Sequence, residues 1–426
     1  MIDIKLILTQ PEKVKELLAL KGCDADLGRI AELDERRRAL ITKGDELKKQ
    51  RNEASALVPK LKKEGKDVSE IIARTKQTGA EIAETDKLIA ETEKELTDAV
   101  AVLPNLPDED LKGGGKENNE VVKVFGEKPT FDGFTPLDHV ELCRRHGLID
   151  YERGVKLSGS GHWIYRGKGA QLEWALLNFF VSEHLKDGYE FILPPLALGY
   201  NCGFGSGQFP KFRDEVYWVE DAEASDRTKM KFMLPTAETA LVNLYSGEML
   251  KESELPKKLF AYTPCFRKEA GSYRSEERGM IRGHQFNKVE MVQITTPEQS
   301  DAAFEELVGK ACSLVSKLGL HFRLSKLAAG DCSASMARTY DIEVWIPSMG
   351  IYKEVSSVSN ARDYQARRNS TRYKGADGKN RYVHTLNGSG LATSRVLPAI
   401  VEQYQQADGS IVVPEVLRKY VGADRI

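Results

Sequence analysis

The feature that most constrains this chain is a seven-residue repeat of apolar side chains over residues 29–103. The repeat consists of Leu33, Leu40, Leu47, Ala54 and Leu61 in the first half, and of Val68, Ile82, Ile89, Leu96 and Leu103, with Thr75 in the remaining position, in the second half; Ile71, Thr78, Thr85, Thr92 and Ala99 supply a second series there. A heptad repeat predicts helices that pack along a seam. Because the break at 63–67 is short and contains Gly65, the two helices should fold back antiparallel as a projecting hairpin about 50 Å long.

Charge is divided unevenly between these two predicted helices. Residues 29–66 carry 12 Lys or Arg against 7 Asp or Glu, and residues 67–101 carry 4 against 9, so the first helix has a net charge of +5 and the second of −5. The ordinary interpretation is mutual pairing of two solvated helices. The alternative is that basic residues of the first helix and the tip contact a nucleic-acid backbone. The candidates are Lys48, Lys49, Arg51, Lys60, Lys62 and Lys63.

Length, charge and cysteine usage exclude several classes of protein. A chain of 426 residues predicts two domains rather than one. Its net charge of −2 gives no overall basic field, so a nucleic-acid partner must be bound by a local patch. The six cysteines show neither a CxxC pair nor zinc-ligand spacing, so no zinc is expected. Since there is neither a leader-like N-terminus nor an apolar run of about 18 residues, we expect a cytoplasmic protein that binds no membrane.

The chain divides at a segment rich in Pro and Gly. Residues 103–120 have little apolar content, which is typical of a connector. We expect an N-terminal domain over 1–103, a linker over 104–134 and a second domain over 135–426. In the second domain, helical periodicity covers 170–185 and 299–318, and strand-like runs cover 189–193, 216–219, 260–266, 289–294 and 342–346. This irregular order, without GxxxxGK[ST] or a helix-opening GxGxxG, favours an α+β fold in which helices flank an antiparallel sheet.

A strand, loop and strand over 260–294 carry charged side chains in a pattern that suggests a site. If both strands are regular, alternation places Arg267 and Glu269 on one face, and Phe286, Lys288 and Glu290 on one face of the returning strand. Charges on one strand face usually indicate a solvated surface. The hairpin by itself therefore leaves both interpretations open.

A second candidate is Arg395, which follows the glycines of LNGSGLATSR and falls near the predicted N-terminus of a helix. A cation there opposes the helix dipole unless a bound anion offsets it, and glycines allow an anion to approach the backbone closely. The common alternative is a surface Arg in the first turn of a helix. The pattern therefore gives a hypothesis of a phosphate site.

An ordered set of motifs connects these candidates. They are MIDIKLI with PEKVKELL, LDERRR, LPNLPDED, GYEFILPP, LPTAETA, FRKEAGSYRSEERGMIRGHQFNKVEM, TYDIEVWIPS with YKEVSSVSN, and LNGSGLATSR. Over nearly its full length the chain resembles the seryl-tRNA synthetases, a family of class II aminoacyl-tRNA synthetases. The resemblance implies an antiparallel catalytic sheet and an arm that holds the long variable arm of tRNA. It also implies a homodimer in which the first class motif packs at the subunit interface.

The resemblance further implies a two-step reaction. The carboxylate of L-serine attacks the α-phosphorus of ATP to give seryl-adenylate and pyrophosphate, and the seryl group then passes to the 3′ end of tRNA(Ser) and, where a host has one, of tRNA(Sec). Mg²⁺ accompanies ATP. Such a reaction requires positioning and charge stabilisation rather than a protein nucleophile.

Roles for individual residues follow from the same resemblance. The catalytic residues would be Arg267, Glu269 and Arg395. The ATP-binding positions would be Arg267, Glu269, Arg282, Gly283, Phe286, Glu354, Val355, Ser356, Ser357 and Arg395, with Glu354 and Ser357 as the Mg²⁺ pair. The L-serine positions would be Thr236, Ala237, Glu238, Arg267, Glu290, Asn387 and Ser389. Within these sets Arg267 would contact both the α-phosphate and the serine carboxylate, and Phe286 would stack on adenine, since an aromatic face accepts a purine.

The chain departs from the family pattern at three places. Gly283 stands where many relatives carry Val, Phe209 stands where Leu is commoner, and residues 332–336 replace the run of small residues usual in the family. In addition, Glu354 and Ser357 have opposite parity, so a regular strand would point them apart. Joint metal binding therefore requires a bend or a strand end between them.

Two other functions fit part of the pattern. One is a synthetase-like RNA-binding protein that has lost catalysis, against which the intact Arg267, Glu269, Glu354 and Arg395 argue. The other is a relative that aminoacylates a carrier protein by the same adenylation chemistry. Such relatives lack the long arm, which residues 29–101 supply here.

Overall fold

The computed structural model describes residues 1–220, 226–269 and 279–426. Residues 270–278, which belong to the longest motif, lie outside the described residues. The α-helices are α1 (Ile4–Thr9), α2 (Pro11–Leu20), α3 (Gly28–Lys63), α4 (Ser69–Ala101), α5 (His139–Arg145), α6 (Tyr151–Ser158), α7 (Gly167–Lys186), α8 (Tyr200–Gly205), α9 (Glu238–Leu241), α10 (Ser300–Lys317), α11 (Tyr364–Asn369), α12 (Thr393–Gln403) and α13 (Glu415–Val421). Short 3₁₀-helices span Lys116–Asn118, Arg227–Lys229, Glu252–Glu254, Pro297–Gln299 and Pro347–Met349.

The strands are β1 (Glu120–Phe125), β2 (Ile149–Asp150), β3 (Ile164–Tyr165), β4 (Glu190–Ile192), β5 (Ala197–Gly199), β6 (Trp218–Val219), β7 (Lys231–Met233), β8 (Met249–Lys251), β9 (Lys257–Phe266), β10 (Gln285–Thr295), β11 (Phe322–Lys326), β12 (Arg338–Ile346), β13 (Ile351–Asn360), β14 (Arg372–Lys374), β15 (Asn380–Tyr382) and β16 (His384–Ala392). The chain forms two compact units. One consists of Ile2–Leu18 and Cys23–Leu103, and the other of Met1, Ala19–Gly22 and Pro104–Ile426.

The first unit is dominated by the hairpin of α3 and α4. The buried heptad positions include Leu33, Leu47, Ile82, Thr85, Thr92 and Leu96. The helices run antiparallel, because Arg29 pairs with Glu95 at 3.0 Å while Lys48, farther along α3, pairs with Asp86 at 2.9 Å. At Gly44 the helices approach so closely that a Cβ atom would lie 3.6 Å from Thr85 Cγ2. The predicted antiparallel helical arm is confirmed.

The second unit is built on a sheet with the strand order β1-β11-β12-β13-β16-β10-β9-β4. Neighbouring strands are antiparallel except β4, which runs parallel to β9. Helices α7, α10 and α12 contribute to its core, which confirms the predicted α+β class. Strand β1 lies at the edge of the sheet and inside the segment expected to be a linker. Within the described ranges, three small sheets accompany the large one, in the orders β15-β14-β8, β2-β3 and β5-β7-β6.

Strand β10 divides two hydrophobic cores. Val289 and Met291 belong to the core formed with α7, α10 and α12, whereas Val292 and Ile294 belong to the second core on the opposite face. Because side chains alternate along a strand, Phe286, Lys288 and Glu290 share the face of the second core. The sheet therefore presents Phe286, Lys288 and Glu290 on the side away from α7 and α12.

Among the described residues, no helix has both the length and the apolar character needed to cross a bilayer.

Candidate active site

Arg267 and Glu269 lie in the loop that follows β9. The regular strand on which their predicted alternation depended is not present here, because β9 ends at Phe266 and Glu269 adopts a positive φ of 47°. The backbone N–H of Arg267 donates to the carbonyl of His284 at 2.9 Å, and the imidazole Nδ1 of His284 donates to the carbonyl of Arg267 at 3.1 Å. This reciprocal pair fixes Arg267 beside the start of β10.

A cavity of about 100 Å³ lies next to this loop. Its lining consists of Arg267, Glu269, Ile281, Arg282, Gly283, Phe286, Lys288, Glu354, Val355, Ser389, Ala392, Ser394 and Arg395. The Arg267 guanidinium lies 5.2 Å from the centre of the Phe286 ring, and Arg282 Nε donates to Glu269 Oε2 at 2.6 Å. Arg395, in the first turn of α12, donates to the Glu354 carbonyl at 2.9 Å. Three guanidinium groups beside an aromatic ring suit a ligand that has both an anionic group and a flat ring.

A buried polar cluster continues from this cavity along β10. Lys288 Nζ donates to Thr236 Oγ1 at 2.9 Å and pairs with Glu290 Oε2 at 2.5 Å. The Ser389 hydroxyl donates to the same Glu290 oxygen at 3.3 Å. Because Lys288 and Ser389 also line the cavity, the cluster and the cavity form one continuous site.

Glu238, the first residue of α9, adds a second buried carboxyl group to this cluster. It is 7% exposed and accepts a hydrogen bond from Gln365 Nε2 at 2.8 Å. Burial, followed by the negative charge of Glu290, raises the pKa of Glu238 to about 7, although Gln365, Lys288 and Arg267 act in the opposite direction. Two buried carboxyl groups so close together favour a bound cation between them.

The strand pair β12 and β13 contains the bend that the parity of Glu354 and Ser357 requires. Glu354 lies opposite Glu343 and Ser357 lies opposite Asp341, so Val355 falls in an irregularity of the ladder. Since Glu343 and Asp341 are two positions apart on β12, this bulge brings Glu354 and Ser357 to the same face.

Oxygen atoms collect on this face near Arg395. The Ser357 hydroxyl donates to Asp341 Oδ1 at 2.6 Å, and burial, followed by the charge of Glu354, raises the pKa of Asp341. Asp341, Glu354, Ser357 and Arg395 line a second cavity of about 840 Å³. No cluster of three or more His, Cys, Asp or Glu side chains suited to a metal ion occurs in the described part of the chain. The oxygen donors present nevertheless fit Mg²⁺, which commonly uses one or two carboxylates and completes its shell with water and phosphate oxygens.

The unusual segment 332–336 contributes to the site at one end. Met336 is buried, and the Asn387 amide donates to its Sδ atom at 3.7 Å. Cys332 instead packs in a small apolar cluster with Leu111 and Leu327. Met336 therefore connects this segment to an expected serine-binding residue.

The structure brings most of the expected residues together, but not all of them with their side chains toward the cavity. Ser356 is buried and its hydroxyl donates to the Ser389 carbonyl at 2.6 Å. Ala237 is buried beside Glu238 in the second core. Side-chain contact of Ser356 with a ligand in the cavity is therefore not supported.

Two residues of the cluster were not among the expected site residues. Lys288 could have been included, because it alternates with Phe286 and Glu290 on β10. Gln365 carries no such signal, since it reaches Glu238 from α11, far away in sequence.

Two family models match this chain. Residues 217–404 match the family described as "tRNA synthetase class II core domain (G, H, P, S and T)". Residues 1–107 match "Seryl-tRNA synthetase N-terminal domain".

Individual relatives are similar over their full length. Serine--tRNA ligase 2 of Clostridium acetobutylicum is 60% identical over 428 residues, covering 100% of both chains. Serine--tRNA ligase of Thermotoga petrophila is 48% identical and also covers 100% of both chains. The crystal structure of seryl-tRNA synthetase from Pyrococcus horikoshii complexed with ATP matches with a TM-score of 0.90 and 31% identity, covering 100% of this chain and 99% of that one.

Proposed function

This chain belongs to the seryl-tRNA synthetase family, ligases that activate serine with ATP and charge tRNA with it, and from that premise we propose which of its residues perform each step. The cavity beside Phe286, together with the larger cavity that shares Glu354 and Arg395 with it, holds ATP, and the polar cluster of Lys288, Glu290 and Glu238 holds serine. The observation that carries this assignment is the continuity of the two spaces through Lys288 and Ser389.

Arg267 lies where the two substrates meet. Its position next to the Phe286 ring supports a contact with the α-phosphate when adenine stacks on that ring, and its proximity to Glu238 supports a contact with the serine carboxylate. Arg282, oriented by Glu269, and Arg395 bind the outer phosphates. Together these cations hold nucleophile and electrophile in line and stabilise the charge that develops on the phosphate.

The acidic end of the cluster selects the amino acid. Glu238 and Glu290 accept from the ammonium and hydroxyl groups of serine, with Thr236, Ser389 and Asn387 beside them, and Ala237 fixes the turn that carries Glu238. Alanine is rejected because a buried acceptor would lose its partner. His284 has a structural role, since its Nδ1 already donates to a backbone carbonyl.

Glu354 and Ser357 would hold a Mg²⁺ ion that accompanies the phosphates, while Val355 and Ser356 contribute backbone to the same edge of the ATP site. When bound, the ion supplies positive charge that neutralises phosphate oxygens. Asp341 orients the Ser357 hydroxyl through its hydrogen bond, and Arg395 stays close to Glu354 through its bond to that residue's carbonyl.

The remaining assignments concern partners and organisation. The domain over 1–103, with its arm, binds tRNA(Ser) and, where present, tRNA(Sec); residues 104–134 connect it to the catalytic domain over 135–426, and the enzyme works in the cytoplasm. A homodimer is supported by exposed apolar side chains on α7 and around β4, at the first class motif. They are Trp174, Leu185, Phe191 and Leu193, of which Leu193 is 72% exposed.

The test is ATP/pyrophosphate exchange without tRNA, measured with each of the 20 amino acids. We expect exchange with serine alone. Arg267→Ala should lower it by roughly 100-fold or more, because a charge-stabilising donor is lost. Lys268→Ala removes an exposed cation at the next position and serves as the matched control. Exchange in Arg267→Ala within about threefold of the control would contradict the assignment.

A further inference from the structure

A buried carboxyl group behind the sheet joins elements from three parts of the catalytic unit. Glu173 lies on α7, is 3% exposed and faces β10 and the start of α12. Its Oε1 atom accepts from the Asn287 amide at 2.8 Å and from the Thr393 hydroxyl at 2.6 Å. The Thr393 hydroxyl also lies 3.1 Å from the Asn287 carbonyl. One oxygen atom thus connects a helix, a strand and the first residue of a second helix.

The two partners of Glu173 sit next to ATP-site residues. Asn287 lies between Phe286 and Lys288 on β10, with its side chain on the opposite face of the sheet. Thr393 lies two positions before Arg395 and opens the same helix, α12. The carboxyl group therefore sets the distance between the strand that carries the Phe286 ring and the helix that carries the Arg395 guanidinium, without itself reaching the cavity.

We propose that Glu173 is a positioning residue for ATP, which fixes Phe286 and Arg395 relative to each other through Asn287 and Thr393. This inference rests on the proposed function of the cavity. A preorganised distance matters because ring stacking and phosphate binding must be satisfied by one ligand at the same time. The network also extends to Tyr262, whose hydroxyl donates to Asn287 Oδ1 at 3.3 Å.

The other carboxyl oxygen gives the network a distinctive property. Glu173 Oε2 and Tyr165 Oη are both buried and neither makes a hydrogen bond of regular geometry in the described structure, although the Tyr165 hydroxyl is close enough to act on the carboxyl group. Burial raises the pKa of Glu173 to about 7, while Thr393, Asn287 and Tyr165 act in the opposite direction. The titratable groups that face it are Tyr165 and Tyr262, whose own pKa values are raised by burial and by the charge of Glu173. A proton on the Glu173 carboxyl group is therefore compatible with neutral pH.

Two substitutions separate hydrogen bonding from charge. Glu173→Gln keeps the Oε1 acceptor for Asn287 and Thr393, and its amide can donate toward Tyr165. Glu173→Leu keeps the approximate volume but leaves the partly buried Asn287 amide without its acceptor, while the Thr393 hydroxyl retains only the Asn287 carbonyl. We expect Glu173→Leu to raise the KM for ATP about tenfold while the KM for serine stays within about twofold, and Glu173→Gln to stay within about twofold for both.

A control variant shows what a loss of packing alone would do to the enzyme. Leu176→Ala, in the same helix and equally buried, removes packing without touching the network. It should lower the melting temperature and leave the KM for ATP unchanged. If Glu173→Leu fails to fold, Thr393→Val removes one donor from the other side and should raise the KM for ATP about threefold. An ATP KM that is unchanged in these variants, or raised equally by Leu176→Ala, would overturn the proposal.

A binding measurement keeps this test distinct from that of the proposed function. Calorimetric titration with a nonhydrolysable ATP analogue should show the same weakening in Glu173→Leu without relying on turnover. If the wild-type chain binds the analogue but exchanges with no amino acid, the assignment of serine fails while the positioning role is still measured. If analogue affinity is equal in wild type and Glu173→Leu, the positioning role is wrong.

Discussion

The Glu238 carboxyl group is the single side chain whose protonation state should govern amino-acid binding. Its pKa is raised to about 7 by burial and by the nearby charge of Glu290, so below pH 7 the protonated form dominates and above pH 7 the carboxylate does. The ammonium group of serine needs the carboxylate. We therefore expect the KM for serine to fall as the pH rises from 6 to 8.

Replacing Glu238 by Gln should remove this dependence. Loss of a charge-assisted hydrogen bond costs about 1.5–3 kcal/mol, which corresponds to an increase of about 10- to 140-fold in the KM for serine, with the KM for ATP within about twofold. The measurement is serine-dependent exchange at a series of pH values. A serine KM in Glu238→Gln equal to that of the wild type at pH 8 would show that the carboxylate does not hold the ammonium group.

Residues of this site differ in how far the sequence alone could identify them. Phe286, Lys288 and Glu290 share a strand, so period-two alternation predicts that they share a face, as they do. Arg267 and Glu269 do not follow that rule, because the strand ends one residue earlier and the backbone of Glu269 turns to a positive φ. Gln365 was beyond prediction, since its contact with Glu238 depends on tertiary packing between α11 and α9.

At the level of structural elements, two loops of the catalytic unit pack tightly against each other. One precedes β10, and the other connects α6 to β3. The connection before β10 contains Gly283, where an added Cβ atom would lie 2.1 Å from Cζ3 of Trp163 and 2.9 Å from the carbonyl oxygen of Gly161. The same pair of connections is joined by a hydrogen bond from the His284 N–H to the Gly161 carbonyl at 3.1 Å. The Trp163 ring thus occupies the space that a larger residue at 283 would need.

Gly283→Ala should therefore destabilise the fold by about 1–3 kcal/mol, because the added methyl group would collide with the Trp163 ring. Trp163→Leu in the same chain should recover part of the loss, which a double-mutant cycle of melting experiments would measure as a favourable coupling. Gly309→Ala is the control, since a Cβ atom at this position in α10 meets nothing within 4 Å and Ala favours the helix. Additive effects of the Gly283 and Trp163 substitutions would refute the contact.

The elements themselves were predictable to the extent that their periodicity is strong. The heptads predict α3 and α4 because a seam must recur for many turns, and the parity of Glu354 and Ser357 predicts an irregularity in β13. The position of the irregularity at Val355 depends on pairing with β12, which the sequence does not specify. Strand β1 escaped prediction because it lies among linker residues and gains its order from pairing with β11.

For the whole molecule, the uneven charge of the arm has two explanations, pairing between the helices and contact with tRNA phosphates. Different parts of the arm support each of them. Lys48 pairs with Asp86 and Arg29 with Glu95 across the two helices, which supports mutual pairing along the shaft. Toward the end of α3, Lys60, Lys62 and Lys63 are exposed in the last turn. These three cations are the better candidates for contact with tRNA phosphates, whereas Lys48 already has a partner.

Replacing Lys60, Lys62 and Lys63 by Ala should raise the KM for tRNA(Ser) about tenfold or more and leave tRNA-independent exchange unchanged. If each cation neutralises one phosphate, the slope of log affinity against log salt should decrease by about two to three. Lys76, Lys87 and Lys94 on α4 provide the matched control, because their replacement removes the same charge from the acidic helix. Equal effects of both triple variants would mean that tRNA responds to the net charge of the arm. No effect of either on aminoacylation would leave mutual pairing of the helices as the explanation of the charge pattern.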